Sequence, residues 1–386
     1  MNNKINGLFV VLIALLAWIP ASAQSAQPTL SELPAGEWTQ IAVEGGICLY
    51  GEDYSFFARP SAELSDNLLV YFQGGGACWD GFTCGSIGQF ASFFNVNPDL
   101  MDFYQQGIFD FDNPDNPLAN YNMVFVPYCS GDVHTGITEM TFDVPAELDA
   151  DFDEIDVFFN GHNNAQLVLE WVYANFEAPD DVVIAGCSAG GYGAVAHAPY
   201  IMENYAGVPA VMIADASAGV LADDWTGLQT WGSIDALPDF IPALADATSD
   251  IYDTTYHIEQ TALYFPENDF AQYNSYVDGV QVGFYGASQG EALDFETNGA
   301  GLAAIWSRAL DSNTDDLTQL DNYNHYTAGG FAHCVINNDL FYLYDQNEVV
   351  FSDWFTDVIE RDADNVACSV LDGSCFEAPI ELPEED

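Results

Sequence analysis

Short apolar runs recur along this chain, most of them closed by glycine or a small polar residue. Leu68 to Phe72, Asn122 to Val126, Asp181 to Ile184, Val211 to Ala214 and Thr261 to Phe265 follow this pattern, and Tyr326 to Phe331 is a last strand-like run. Runs this short, rich in β-branched and aromatic residues and bounded by turn formers, read as buried strands. Longer stretches between them carry helical spacing. Leu167, Val168, Trp171 and Val172 share one face of a helix predicted over 163–176, and Tyr192 to His197 starts another. Residues 221–255 read as helices and loops inserted above a sheet, 276–320 as hairpin and helix, and 28–50 as a loop-rich segment ending at Cys48. Alternating strands and helices predict an α/β fold with a mostly parallel central sheet and helices on both faces. Hydrophobic residues make up 49% of the 386, enough for a sizeable core, and no internal repeat divides it. One domain is expected over 24–376, with an acidic, frayed tail at 377–386.

The first residues change the compartment. Met1 to Lys4 precede an apolar run from Leu8 to Ile19, and Ala21-Ser22-Ala23 is a small-x-small cleavage site. This is the pattern of a secretory signal peptide over 1–23, and it predicts an exported protein. No later stretch is apolar for long enough to cross a bilayer, so no membrane anchor is expected. Charge then narrows the partners. The chain holds 4 Lys and Arg against 60 Asp and Glu, for a net charge of −56. Lys4 leaves with the signal peptide, and only Arg59, Arg308 and Arg361 remain. Such a chain cannot bind nucleic acid by neutralising phosphates. Self-repulsion of this size is better tolerated in salt. Nothing in the sequence sets the oligomeric state.

Candidate chemistry centres on Gly186-Cys187-Ser188-Ala189-Gly190-Gly191, which lies between a predicted strand and a predicted helix. Gly-x-Ser-x-Gly in that context is a nucleophile elbow, a sharp turn that lifts the serine hydroxyl clear of the sheet. A serine nucleophile needs a base, usually histidine, oriented by a carboxylate. In the strand–loop order of such folds the acid and then the histidine follow the serine. His134 and His162 precede Ser188, His197 lies in its own helix, and His257 precedes the predicted acid strand. His333 is favoured, in a glycine-containing loop after the last strand-like run, with His325 as the alternative. For the acid, Asp269 follows the predicted strand Thr261 to Phe265 and is favoured over Asp215. The loop Gln73-Gly74-Gly75-Gly76-Ala77 follows another strand, and its N–H groups, with that of Ala189, form a candidate oxyanion hole. The aromatic segment Phe82 to Phe111 reads equally as a cleft lining or as core. Asp110 to Asp115 and Asp311 to Asp316 superficially suggest calcium loops, but read better as turns. No metal or other cofactor is expected.

Taken together, these pieces resemble the pectin acetylesterase family. The matching segments are Phe72-Gln73-Gly74-Gly75-Gly76-Ala77-Cys78, Tyr128-Cys129-Ser130-Gly131-Asp132, Gly186 to Gly191, Asp269-Phe270-Ala271-Gln272 and Phe331-Ala332-His333-Cys334. The resemblance covers about residues 45 to 340. It implies an α/β-hydrolase fold with Ser188 as nucleophile, Asp269 as acid and His333 as base. The oxyanion hole it implies comprises Gly75, Gly76, Ala77 and Ala189. The implied function is that of a secreted serine esterase acting on carboxylic, chiefly acetyl, esters of carbohydrate. The chain departs from many family members in carrying Ala77 where they have tryptophan, with Trp79 two residues on, so the pocket wall differs. Two alternatives stay open: a broad carboxylesterase or lipid deacylase with an apolar acyl pocket, and a non-catalytic binding protein on a hydrolase fold.

Eight cysteines in an exported chain predict disulfides. Cys78 lies close to Cys84 in sequence, and Cys368 to Cys375. Cys187 precedes Ser188 and Cys334 follows His333, so contact between those two residues would let these cysteines bridge. Cys48–Cys129 would pin the loop after the strand at 122–126.

Overall fold

The computed structural model describes residues 27–86, 95–148, 152–290 and 297–380. The predicted signal peptide with its cleavage site, Phe90, Phe93, Phe94 and residues 381–386 lie outside the described residues.

Among the described residues the fold is built on a nine-stranded sheet. Its strands are β1 (Thr39–Ile47), β2 (Asp53–Arg59), β3 (Leu68–Phe72), β4 (Asn122–Val126), β5 (Val182–Cys187), β6 (Ala210–Asp215), β7 (Asp269–Ser275), β8 (Tyr323–Ala328) and β9 (Val366–Ala367). The spatial order is β1-β2-β4-β3-β5-β6-β7-β8-β9. β1 and β2 are antiparallel to their neighbours, and every pairing from β4 to β9 is parallel. The principal helices are α1 (Gly161–Asn175), α2 (Ala189–Asn204), α3 (Thr254–Tyr264), α4 (Gly279–Ser288), α5 (Gly299–Leu317) and α6 (Phe351–Glu360).

The strand sequences are continuous apolar runs because both faces of the sheet are covered. Leu68, Val70 and Phe72 of β3 pack into a core shared with Val168 and Val172 of α1 and Ala194 of α2. Leu69 and Tyr71, one residue out of phase, enter the opposite core with Phe109 and with Trp354 and Phe355 of α6. This is the predicted α/β-hydrolase architecture. No helix among the described residues is long and apolar enough to cross a membrane.

Three local expectations are corrected. Thr261 to Tyr264, read as part of a strand, form the last turn of α3, and Phe265 is its C-cap. Asp253 caps the helix by accepting the Tyr256 N–H at 2.7 Å, and its buried face carries His257, Ile258, Thr261 and Ala262. The segment at 28–50 contributes β1, which pairs with β2 across a bulge between Ala42 and Ile47. A separate antiparallel pair, Thr138–Asp143 with Glu154–Phe159, has no counterpart among the predicted strands. Of the two aspartate-rich segments, 110–115 forms turns closed by Asp110 and Asn113 side chains, and 311–316 lies inside α5.

Candidate active site

Parallel strands place all their C-terminal ends on one edge, and the loops leaving that edge converge on one cavity. Ser188 sits between β5 and α2 with φ 57° and ψ −127°, a strained conformation for a residue with a side chain. The turn is held by the Ser188 N–H, which donates to the Asp215 carbonyl at 2.8 Å, and by the Ser217 hydroxyl, which donates to the Ser188 carbonyl at 2.8 Å. Two of its glycines are sterically required. A Cβ on Gly190 would collide with the Phe72 carbonyl, and one on Gly186 with the Gly190 carbonyl.

The glycine loop after β3 lies beside the elbow. Gly76, Ala77, Ser188, Ala189 and His333 line the same cavity of about 540 Å³, whereas Gly75 is in the loop but not on the cavity wall. Buried polar groups set the loop's shape. Gln73 accepts the Tyr128 N–H at 2.9 Å through its side-chain oxygen, and its carbonyl bonds His134 Nε2 at 2.8 Å. Tyr128 OH donates to the Gly76 carbonyl at 2.9 Å and accepts the Val133 N–H at 2.9 Å. Asp132 braces this region through Ser130 and the backbone N–H groups of His134 and Gly161, and burial pushes its carboxyl up to about 6. Burial pushes the His134 imidazole down to about 4, so it serves as a neutral strut.

The carboxylate that meets His333 is Asp278, not Asp269. His333 Nδ1 lies 2.7 Å from Asp278 Oδ2, and the Asp278 side chain is fully buried. A carboxylate only accepts, so Nδ1 carries a proton, and in the neutral ring Nε2 is left as the free base. Asp278 caps α4: its Oδ1 accepts the N–H groups of Val280 at 2.9 Å and Gln281 at 3.0 Å. Burial pushes the His333 pKa down. The Asp278 hydrogen bond and the charges of Asp278 and Asp215 outweigh it, and the net shift is upward.

Asp269 begins β7 and stands at the opposite edge of the sheet. Strand β7 runs seven residues from Asp269 to Ser275. At ~3.3 Å per residue that separates the two ends by roughly 20 Å. There Asp269 lies 3.7 Å from the Arg361 guanidinium, which also bonds Asp181 at 2.5 Å. The misplacement follows from reading the end of α3 as a strand, which put Asp269 after a strand rather than at the start of one. The usable signal was Asp278-Gly279-Val280, an aspartate N-cap directly after the true strand.

Asp215, the alternative acid, does not contact the His333 ring. Its Oδ2 accepts the N–H groups of Val335 at 2.7 Å and Ile336 at 2.8 Å, so it clamps the loop just beyond His333. Its Oδ1 is buried without a partner, and burial pushes the carboxyl up to about 7. His325 lies within β8, bonded to Thr327 at 3.1 Å, and burial pushes it down to about 4.

All four anticipated disulfides are present: Cys48–Cys129, Cys78–Cys84, Cys187–Cys334 and Cys368–Cys375. Cys187–Cys334, with Cα atoms 5.7 Å apart, ties the end of β5 to the His333 loop. A ring nitrogen of His333 lies within 4.8 Å of both sulfurs. The cavity's aromatic wall comes from Trp79, Tyr192, Trp225, Trp231, Tyr252 and Phe284 rather than from the described part of the segment at 82–111. In that segment Tyr104 and Phe109 pack against Phe125 under β3 and β4, and Phe103 is exposed. Trp79 meets Trp225 edge-on at 5.3 Å, so it supplies an aromatic wall beside Ala77.

A family model described as Pectinacetylesterase matches residues 37–272. Pectin acetylesterase 11 of Arabidopsis thaliana is 29% identical over 159 residues, 40% of this chain and 37% of that protein. Pectin acetylesterase 5 of the same plant is 26% identical over 189 residues, 47% of this chain and 42% of that protein. The matched region is thus about two fifths of the length of these relatives. Two crystal forms of the Wnt deacylase Notum from Drosophila share the fold, with TM-scores of 0.59 and 0.60 at 15% and 14% identity. They match 85% of this chain and 94% and 95% of theirs.

Proposed function

The chain belongs to the pectinacetylesterase family, and from that premise we propose that it is a secreted serine esterase that removes acetyl groups from carbohydrate. His333 Nε2 takes the Ser188 proton as Oγ attacks the ester carbonyl. The oxyanion is met by N–H groups of Gly76, Ala77 and Ala189. The alcohol leaves with the proton from His333, and water repeats the attack on the acyl-enzyme. Asp278 holds the proton on Nδ1 and stabilises the imidazolium. No step calls for a cofactor. Four disulfides suit an oxidising, extracellular setting.

The observation that carries this reading is the 2.7 Å bond from His333 to the buried Asp278, in a loop disulfide-linked to the residue before Ser188. The test is hydrolysis of p-nitrophenyl esters of rising chain length, with mass spectrometry of quenched enzyme. Wild type should favour acetate and carry an acyl adduct on Ser188. Ser188→Ala should lose about 10⁶ in kcat. Full activity in Ser188→Ala would sink the proposal. A second reading is favoured by the cavity itself, whose volume of about 540 Å³ and tryptophan walls exceed the needs of an acetyl group. An optimum at longer acyl chains would make the protein a broader carboxylesterase or lipid deacylase.

A further inference from the structure

The carboxylates that line the cavity above Ser188 face no lysine or arginine there. Asp223, Asp224, Asp250 and Asp253 line it, and all four are exposed at its mouth. Every described cation in the chain has another place. Arg59 is buried, with its guanidinium 3.5 Å from the centre of the Phe111 ring. Arg361 is committed to Asp181 and Asp269 at the far edge of the sheet. Arg308 is exposed on α5, where its charge bears on Tyr276 rather than on the cavity. The fourth cation, Lys4, belongs to the predicted signal peptide, outside the described residues. Among polar groups in the wall, Gln281 is already satisfied by Ala218, Asn274 and Asp278.

A polyuronate presents one carboxylate on each unesterified sugar, and guanidinium or ammonium donors are the groups that pair with it most strongly. This cavity has none, and its mouth repeats the charge of the ligand on a chain whose net charge is −56. The walls instead offer the apolar faces of Trp79, Trp225 and Phe284, beside the polar groups around Ser188. Such a lining suits an uncharged sugar ring that carries an ester.

We propose that the substrate of this site is an acetyl ester on a neutral glycan, and that polyuronates are turned away electrostatically at the cavity mouth. This deepens the esterase reading and rests on it. The rim carboxylates bind nothing in this scheme. They set the potential that an incoming chain meets.

The experiment compares acetylated xylan with acetylated polygalacturonate of matched acetyl content, at about 10 mM and about 0.5 M sodium chloride, with p-nitrophenyl acetate as a neutral control. Exposed charges are screened beyond about 10 Å only near 0.1 M salt, so the low-salt arm keeps the repulsion. At low salt, kcat/KM on polygalacturonate should be at least about tenfold below that on xylan. The gap should narrow at high salt through the polyanion alone. Asp223→Asn/Asp224→Asn/Asp250→Asn should raise the polygalacturonate-to-xylan ratio at low salt. Asp253 is left intact because it caps α3. Hydrolysis of p-nitrophenyl acetate with equal, salt-independent rates on the two polymers would overturn this inference and leave the esterase reading standing. Hydrolysis of no ester at all would remove both.

Discussion

Replacing Asp278 with asparagine probes the site at its most constrained point. The two carboxylate oxygens of Asp278 accept only from donors. Oδ1 takes the Val280 and Gln281 N–H groups at 2.9 and 3.0 Å, and Oδ2 takes His333 Nδ1 at 2.7 Å and Gln281 Nε2 at 3.0 Å. Asparagine keeps one acceptor and adds one donor, and it can turn either way. With its oxygen toward His333, the new NH₂ group faces two backbone N–H groups at the start of α4. With its oxygen toward the helix, only the Gln281 bond is lost, and Gln281 Nε2 still donates to Asn274 at 3.0 Å. Each buried donor left unpaired costs ~1–3 kcal/mol, so the second orientation is preferred by about that much. It puts NH₂ against Nδ1, which must then accept, and the ring proton moves to Nε2. A protonated Nε2 cannot take the Ser188 proton. The expected loss is about 10⁴ in kcat, with KM for p-nitrophenyl acetate little changed and the near-UV circular dichroism of a folded protein. Asp269→Asn is the matched control. Its Arg361 contact is a partly exposed 3.7 Å pair, so stability should fall by less than ~1 kcal/mol and the rate should hold. A folded Asp278→Asn within tenfold of wild type, or an Asp269→Asn that is the more damaged of the two, would refute the reasoning.

Two further predictions concern pH. Asp215 faces His333, Asp278, Tyr71 and Tyr273, and both tyrosines are held protonated by burial. Its charge, only partial near its own pKa of about 7, is the smallest of the causes that raise the His333 pKa, so Asp215→Asn should move the acid limb of kcat/KM for p-nitrophenyl acetate to lower pH; an unmoved limb would mean that Asp215 only supports the loop. Burial pushes His257 down to about 3, so the folded state stays unprotonated at pH values where the unfolded chain binds a proton. Stability from this group is intact above the unfolded pKa near 6.5 and falls as pH drops toward the folded value, by up to ~1.4 kcal/mol per pH unit. His257→Leu should therefore flatten the decline in urea-unfolding free energy between pH 6.5 and 5 by about 2 kcal/mol; the same slope in both proteins would count against a neutral buried His257.

What the sequence by itself determined is what local physics encodes. The elbow is legible because its strain is resolved within a few residues. Gly186 and Gly190 are glycines since a Cβ there would strike backbone, and the strand before and the helix after Ser188 are both short-range patterns. The glycine loop after β3 is legible for the same reason. The partners of the cysteines were read in part from closeness in sequence and in part from the contact a serine–histidine pair demands. The acid was not legible in this way. Sixty carboxylates were available, and a carboxylate gains its role only from the edge of the sheet on which it stands. Thr261 to Phe265 are β-branched and aromatic enough to pass for a strand, yet tertiary packing of Ile258, Thr261 and Ala262 makes them the end of α3. That shift moves the strand to Asp269–Ser275, sends Asp269 to Arg361, and leaves Asp278 to cap α4 and hold His333. The cavity's tryptophans and its acidic mouth come from segments far apart in the chain, Trp79 and residues 223–253, and only folding brings them over Ser188. Their juxtaposition depends on long-range packing, which no local pattern of apolar and polar residues records.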